Sequence, residues 1–209
     1  MNKSKEEIVQ IYLRLLDYFS SGVLAFVVLK TLREEFQRTK ENRDEIFISA
    51  IFVSTYNTVV LALANSVKSN QESVHLTYLF NCIASSKDEL GTEAYNQLAK
   101  FIPEFQSALQ KISSTINGAI TLRNTAVAHL DRRHINNPLS LIQDPPITWD
   151  ELEMAYNIVG SGLSEIGKHL GVLDIQPYAT IANFVLAQQT RRVFDLLYGS
   201  GNVGSKNLR

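Results

Sequence analysis

Apolar side chains recur every three or four residues along most of the chain, which is the spacing of one face of an α-helix. Ser4-Lys-Glu-Glu7 has the form of a capping box, and an apolar face follows it at Ile8, Ile11, Tyr12, Leu15, Leu16 and Phe19. This pattern predicts a first helix that runs to about Phe36. Gly22 lies inside that helix and marks either a break or a close crossing with another helix.

The same spacing predicts further helices over about residues 42–68, 74–86, 92–130, 148–170 and 177–197. Pro103 either begins a new helix within 92–130 or kinks a continuing one, and an apolar face extends from Phe105 to about Leu130. His75, near the start of its helix, is expected to be a surface or capping histidine.

Residues 147–171 carry the clearest helix boundaries. Thr148-Trp-Asp-Glu151 is a capping box, and Ile147 and Leu152 are placed for a hydrophobic staple. Gly171 is the expected stop, because glycine adopts the left-handed conformation that ends many helices.

The fold class follows from these helices, because no segment shows the period-two alternation of a strand. The chain is predicted to be all-α, a helical bundle of about six helices. Residues 1–198 form one helical domain, and residues 199–209 have the composition of a flexible tail. Residues 136–146 hold three of the five prolines, which predicts an extended loop that could form a rim or a lid.

Composition and charge restrict the classes of function that the chain can have. The chain has 209 residues with a net charge of −1, so any contact with nucleic acid must come from a local basic patch. Cys82 is the only cysteine, which excludes a disulfide within one chain and suits a cytoplasmic protein. Its apolar neighbours favour a core thiol over a catalytic one. The N-terminus lacks the apolar run of a signal peptide.

Residues 46–67 contain no charged side chain and are about long enough to span a bilayer. Their hydroxyl and amide side chains are polar for a membrane interior, among them Ser54, Asn57 and Asn65. A helix buried between others or in a subunit interface is therefore expected, and no contact with a membrane.

The chain lacks the sequence motifs of several common phosphate-binding and metal-binding sites. It has no glycine-rich phosphate loop, no paired Cys-x-x-Cys and no His-Glu-x-x-His. Among the four histidines, only His129 and His134 are close in sequence, with Asp131 between them. Their spacing straddles two faces of a helix, so we expect neither a metal nor another cofactor.

Residues 123–134 are the candidate site. Arg123, Asn124 and His129 offer a cation, an amide and a group that titrates near neutrality, which is a plausible set for a phosphodiester. The alternative is a polar helix end, where His129 and the following arginines cap carbonyl groups. Arg123 and His129 project about 120° apart around a helix, so a shared site requires a break in the helix or a second copy.

The stretch Arg123-Asn-Thr-Ala-Val-Ala-His129 resembles the motif of the HEPN superfamily (higher eukaryotes and prokaryotes nucleotide-binding domain), in which an Arg and a polar residue precede a His. The wider stretch Leu122–Asp131, followed by a loop and Thr148–Leu152, is similar to the AbiU-type abortive-infection branch.

The resemblance implies a homodimer with the motif helices at its interface and a metal-independent endoribonuclease. Arg123 would stabilise charge on the scissile phosphate, Asn124 would orient a phosphate oxygen or the histidine, and His129 would act as general acid or base. The residues that would contact the RNA substrate are Asp131, Arg132, Arg133 and His134. One branch carries a modified Tyr where this chain has Asp131, so that form of control is not expected.

The implied role is phage defence or a toxin, with an antitoxin or another regulatory protein as a further partner. One alternative is a non-catalytic HEPN bundle that binds RNA, nucleotide or a partner protein. Another is a helical interaction protein or membrane-associated protein built around residues 46–67.

Overall fold

The periodic segments are helices in the computed structural model, which describes residues 3–38, 45–67, 74–128, 145–172, 185–193 and 195. All regular secondary structure within these ranges is helical, as predicted. The helices are α1 (Lys5–Arg38), α2 (Glu45–Val67), α3 (Leu76–Ala84), the short α4 (Lys87–Leu90), α5 (Thr92–Lys111), α6 (Ser113–Ala128), α7 (Trp149–Leu170) and α8 (185–193).

Helix α2 lies between α1 and α6. Its buried side chains include Phe52, Tyr56, Val59, Val60 and Leu63, so they face more than one side of the helix. A charged side chain on these faces would lose its hydration and gain no partner of opposite charge. This cost explains why α2 has no charged residue after Glu45.

Helices α1 and α2 each contain a window long and apolar enough to cross a membrane, Lys5–Glu35 and Ala50–Val67. Within the bundle, 39% and 44% of these windows are buried. The core helix of a soluble protein passes the same test, so length and hydropathy are weak grounds for a membrane span.

Gly22 marks a close crossing of helices, because α1 continues through it. A Cβ atom at this position would meet the Tyr156 hydroxyl and would lie 2.5 Å from the Ala62 Cβ. The same hydroxyl donates a hydrogen bond of 2.7 Å to the Val59 carbonyl. One tyrosine of α7 thus fills the space that glycine leaves and binds the backbone of α2.

The predicted helix over 92–130 is divided, and the division lies at Ile112 instead of Pro103. Pro103 is inside α5 and exposed, so the Ala99 carbonyl that loses its partner faces water. Ile112 is buried and adopts a non-helical conformation at the end of α5. This break and the short α4 give more helices than the six predicted.

The boundaries predicted from the capping boxes at Ser4 and Thr148 and from Gly171 are confirmed. Thr148 and Glu151 form both hydrogen bonds of a capping box, and Gly171 ends α7 with a φ of 76°. The Glu7 amide donates to the Ser4 hydroxyl at 3.2 Å, and the Ser4 amide donates to the Glu7 carboxylate at 3.0 Å. His75 is the N-cap of α3.

Helix α8 contacts the outside of α1 through charged side chains. The Arg191 Nη2 atom lies 3.0 Å from a Glu34 oxygen, and its Nε atom lies 3.6 Å from the buried Glu35 carboxylate. The predicted start of this helix near Pro177, the loop over 136–144 and the tail over 199–209 lie outside the described residues.

Substitution of Gly162 by alanine is expected to destabilise the bundle, because its Cβ would overlap the ring of the buried Phe105. Overpacking of this kind costs about 1–3 kcal/mol of unfolding free energy. Gly160→Ala is the matched control: its Cβ would make an ordinary contact of 3.4 Å with Phe19, and alanine favours a helix. Urea denaturation measures both variants, and equal stabilities would contradict the close packing at Gly162.

Folding stability is expected to depend on the protonation of His75. Its Nδ1 atom accepts a hydrogen bond of 3.3 Å from the Tyr78 amide, and burial lowers the pKa of His75. The unfolded chain therefore takes up this proton first as the pH falls below about 6.5. Stability is complete above that pH and declines as the pH falls through the folded-state pKa.

The urea midpoint should therefore fall more in the wild type than in His75→Asn when the pH is lowered from about 7 to about 5. Asparagine also caps helices but does not titrate. Identical pH dependence in the two proteins would show that His75 does not contribute.

Candidate functional site

The C-terminal part of α6 presents Arg123 and Asn124 beside α2. Helix α6 packs mainly against α2, and its buried positions include Ile116 and Ala119. Arg123 follows Ala119 by four residues, so it continues the buried side of the helix. Arg123 itself is half-buried and Asn124 is exposed.

The Arg123 guanidinium is hydrogen bonded to two amide side chains. Its Nε atom donates to Asn124 Oδ1, and its Nη1 atom donates to Asn65 Oδ1, both at 3.2 Å. Asn65 is half-buried in the last turn of α2. The guanidinium thus lies at the edge of the α2–α6 contact, between the C-terminal parts of both helices.

Sequence reasoning missed Asn65 as part of the site and used it only as a reason against a membrane span. It is 58 residues from Arg123 along the chain, and no motif connects the two. The available signal was an amide near the end of a helix that has no charged residue after Glu45. That signal does not identify a partner, because it does not show which helix lies beside it.

Of the predicted site residues, the structure brings Arg123 and Asn124 together and adds Asn65. His129, Asp131, Arg132, Arg133 and His134 lie outside the described residues. Helix α6 is continuous from Ser113 to Ala128. The helical phase from Arg123 towards His129 is therefore unbroken up to the residue before the histidine.

The solvent-exposed side of α6 is a stripe of small and uncharged polar residues. Its members are Ser114, Asn117, Thr121 and Asn124, which lie within about 80° around the helix. Arg123 is the only charged residue of α6. A surface of this kind lets another helix approach closely without burying a charge.

Ile147, just before α7, lies next to the same pair of helices. The Ile147 amide donates to the Tyr56 hydroxyl at 3.2 Å, and this hydroxyl donates to the Ile147 carbonyl at 3.4 Å. Burial raises the pKa of Tyr56 to about 12, so the hydroxyl keeps its proton. A Cβ at Gly118 of α6 would lie 3.5 Å from the Ile147 side chain. The segment after the motif therefore ends beside α2 and α6.

Metal ligands do not cluster in the part of the chain that the structure describes. Within it, no group of three His, Cys, Asp or Glu side chains is arranged to hold a metal ion. The functional groups around Arg123 are its guanidinium and the neutral amides of Asn65 and Asn124. A guanidinium binds anions, and the amides orient hydrogen-bonding groups.

Comparison with known proteins places these residues in a family. The HEPN family model described as AbiU2 matches residues 6–185, a span that runs from the first turn of α1 through α7 and includes the whole stretch from Arg123 to His134. No curated protein and no solved structure matches the chain. Because the family model covers most of the sequence and not the short motif alone, the chain belongs to the AbiU2 family of HEPN proteins.

Proposed function

We propose that the chain is a metal-independent endoribonuclease that acts in phage defence or as a toxin in the cytoplasm. Arg123, Asn124 and His129 from two copies would form the active site. The observation that carries the proposal is the Arg123 guanidinium, which lies in the family motif and is oriented by two neutral amide oxygens.

The two amides suit a phosphate-binding arginine for an electrostatic reason. A carboxylate partner would cancel the charge of the guanidinium, whereas an amide oxygen orients it without doing so. The planar guanidinium can then offer parallel N–H groups to a phosphate. Charge that develops on the phosphate oxygens during cleavage is stabilised by such a fixed donor.

His129 would transfer protons. A neutral imidazole takes the proton from a ribose 2′-hydroxyl as that oxygen attacks the phosphorus atom. The bond from phosphorus to the 5′-oxygen breaks, and an imidazolium gives that oxygen its proton. The products are a 2′,3′-cyclic phosphate and a 5′-hydroxyl. Two copies of His129 in a dimer would supply the base and the acid.

Dimerisation along α6 would bring the two motifs together. The exposed stripe of α6 includes Asn124, whose side chain accepts a hydrogen bond from Arg123. Two such stripes can pack closely because their side chains are small and uncharged. Asp131, Arg132, Arg133 and His134 would then contact the RNA near the cleaved bond, with the two arginines on phosphates. An antitoxin or another regulatory protein would restrain the activity.

A second function also has an observation in its favour. The hydrogen bond from Arg123 to Asn65 ties α6 to α2, as expected of an arginine that only stabilises a bundle. A HEPN bundle of this kind would bind RNA, nucleotide or a partner protein without cleaving it.

Arg123→Ala and His129→Ala are expected to lower RNA cleavage about 100-fold or more, because each removes a group that acts in the transition state. Cleavage of single-stranded RNA by the wild type should persist in EDTA, leave cyclic phosphate ends and spare DNA of the same sequence. The matched controls are Arg14→Ala, at an exposed position of α1, and His169→Ala, whose imidazole lies 3.3 Å from Glu165.

Two results would contradict the proposal. RNA that is retained by the wild type without products would favour the non-catalytic function. Cleavage by Arg123→Ala and His129→Ala at the wild-type rate, with both variants folded, would place the activity elsewhere in the chain.

The dimer is tested by a charge on the stripe of α6. Asn117→Glu puts like charges face to face across a two-fold interface, so the protein should become monomeric and lose cleavage together. Sedimentation measures the mass. Asn81→Glu, at an exposed position of α3, is the control. A monomeric wild type that cleaves RNA would refute a shared site.

A further inference from the structure

We infer that Asn65 of α2 is a positioning residue, which holds the Arg123 guanidinium in the orientation that a phosphate of RNA requires. The inference rests on the proposed function. It starts from the hydrogen bond of 3.2 Å from Arg123 Nη1 to Asn65 Oδ1 and from the place of Asn65 in the fold.

The last turn of α2 is a rigid support for Asn65. Leu63 and Ala64 are fully buried, and Val67 is buried as well. The hydroxyl of the buried Ser66 donates to the Ala62 carbonyl at 2.7 Å. Since the neighbours of Asn65 are packed into the core on both sides, its backbone cannot follow a movement of the arginine.

Asn65 fixes the Arg123 guanidinium relative to the rest of the bundle, which Asn124 alone does not do. Asn124 directly follows Arg123 in α6, so its hydrogen bond does not fix the arginine relative to the other helices. Asn65 belongs to another helix and binds a different nitrogen of the guanidinium. Two hydrogen bonds on two nitrogens fix the plane of the group, and the bond to Asn65 fixes that plane relative to the bundle.

The acceptor must be uncharged for this role. Asn65→Leu has nearly the same shape but no acceptor, so the guanidinium keeps its charge and loses its orientation. Asn65→Asp keeps an acceptor oxygen but adds a negative charge beside Arg123. Comparison of the two variants therefore separates the effect of guanidinium orientation from the effect of a negative charge beside Arg123.

Steady-state cleavage of a short single-stranded RNA distinguishes these effects. Asn65→Leu should lower kcat about 10- to 100-fold and change KM by less than about threefold, because misplacement of a catalytic group affects mainly the transition state. Asn65→Asp should raise KM and make binding less dependent on salt. Asn57→Leu, at another half-buried asparagine of α2, is the control and should match the wild type.

The coupling to Arg123 is tested in the Arg123→Lys background. Lysine lacks the planar fork, so Asn65→Leu should lower the remaining kcat by less than about twofold there. Multiplicative effects of the two substitutions would overturn the inference, as would a wild-type kcat in Asn65→Leu.

A measurement without turnover separates this inference from the proposed function. In ¹⁵N NMR spectra, the N–H groups of the Arg123 guanidinium should exchange with water about tenfold faster in Asn65→Leu than in the wild type, because a hydrogen bond is lost. Unchanged exchange would overturn the positioning role even if RNA is cleaved. Faster exchange in a chain that cleaves no RNA would support the role of Asn65 while refuting the ribonuclease.

Discussion

Burial of α2 between α1 and α6 is the constraint on which the other features depend. A helix that is covered on two sides must be apolar on both, and charges must be kept out of its middle. The Tyr56 hydroxyl of this helix contacts the backbone of Ile147, and the Tyr156 hydroxyl contacts the backbone of Val59 within it. Gly22 lets α1 approach it. The position of α6, and with it the position of the motif, follows from this packing.

Asn65 and Arg123 lie where the apolar contact of α2 and α6 meets solvent. A guanidinium further inside would pay a large desolvation cost, and one further outside would move freely. At this edge it is half-buried and donates hydrogen bonds to the amide oxygens of Asn65 and Asn124. Membership of the AbiU2 family connects the chain with abortive infection. Phosphate binding by Arg123 is part of the function proposed above.

Periodicity predicted the helices well where caps accompany it. Thr148 and Glu151 give α7 its start, and Gly171 gives it its end, because the hydrogen bonds and backbone angles involved are local. The break at Ile112 was not predicted, because Phe105, Leu109, Ile112 and Ile116 keep helical spacing through it. A buried residue can keep the apolar spacing of a helix while its backbone leaves the helical conformation, as Ile112 does. The break is therefore visible only in the structure.

For the site, the motif made Arg123 and Asn124 candidates and indicated the family, since residue types and spacing are properties of the chain itself. The helical phase also predicts that Arg123 and His129 do not share a face. The partner of Arg123 was decided only by the tertiary structure. Asn65 approaches Arg123 because the burial of α2 brings together two helices that are far apart in sequence. Caps and helical spacing describe only residues that are close in sequence, so they do not predict this contact.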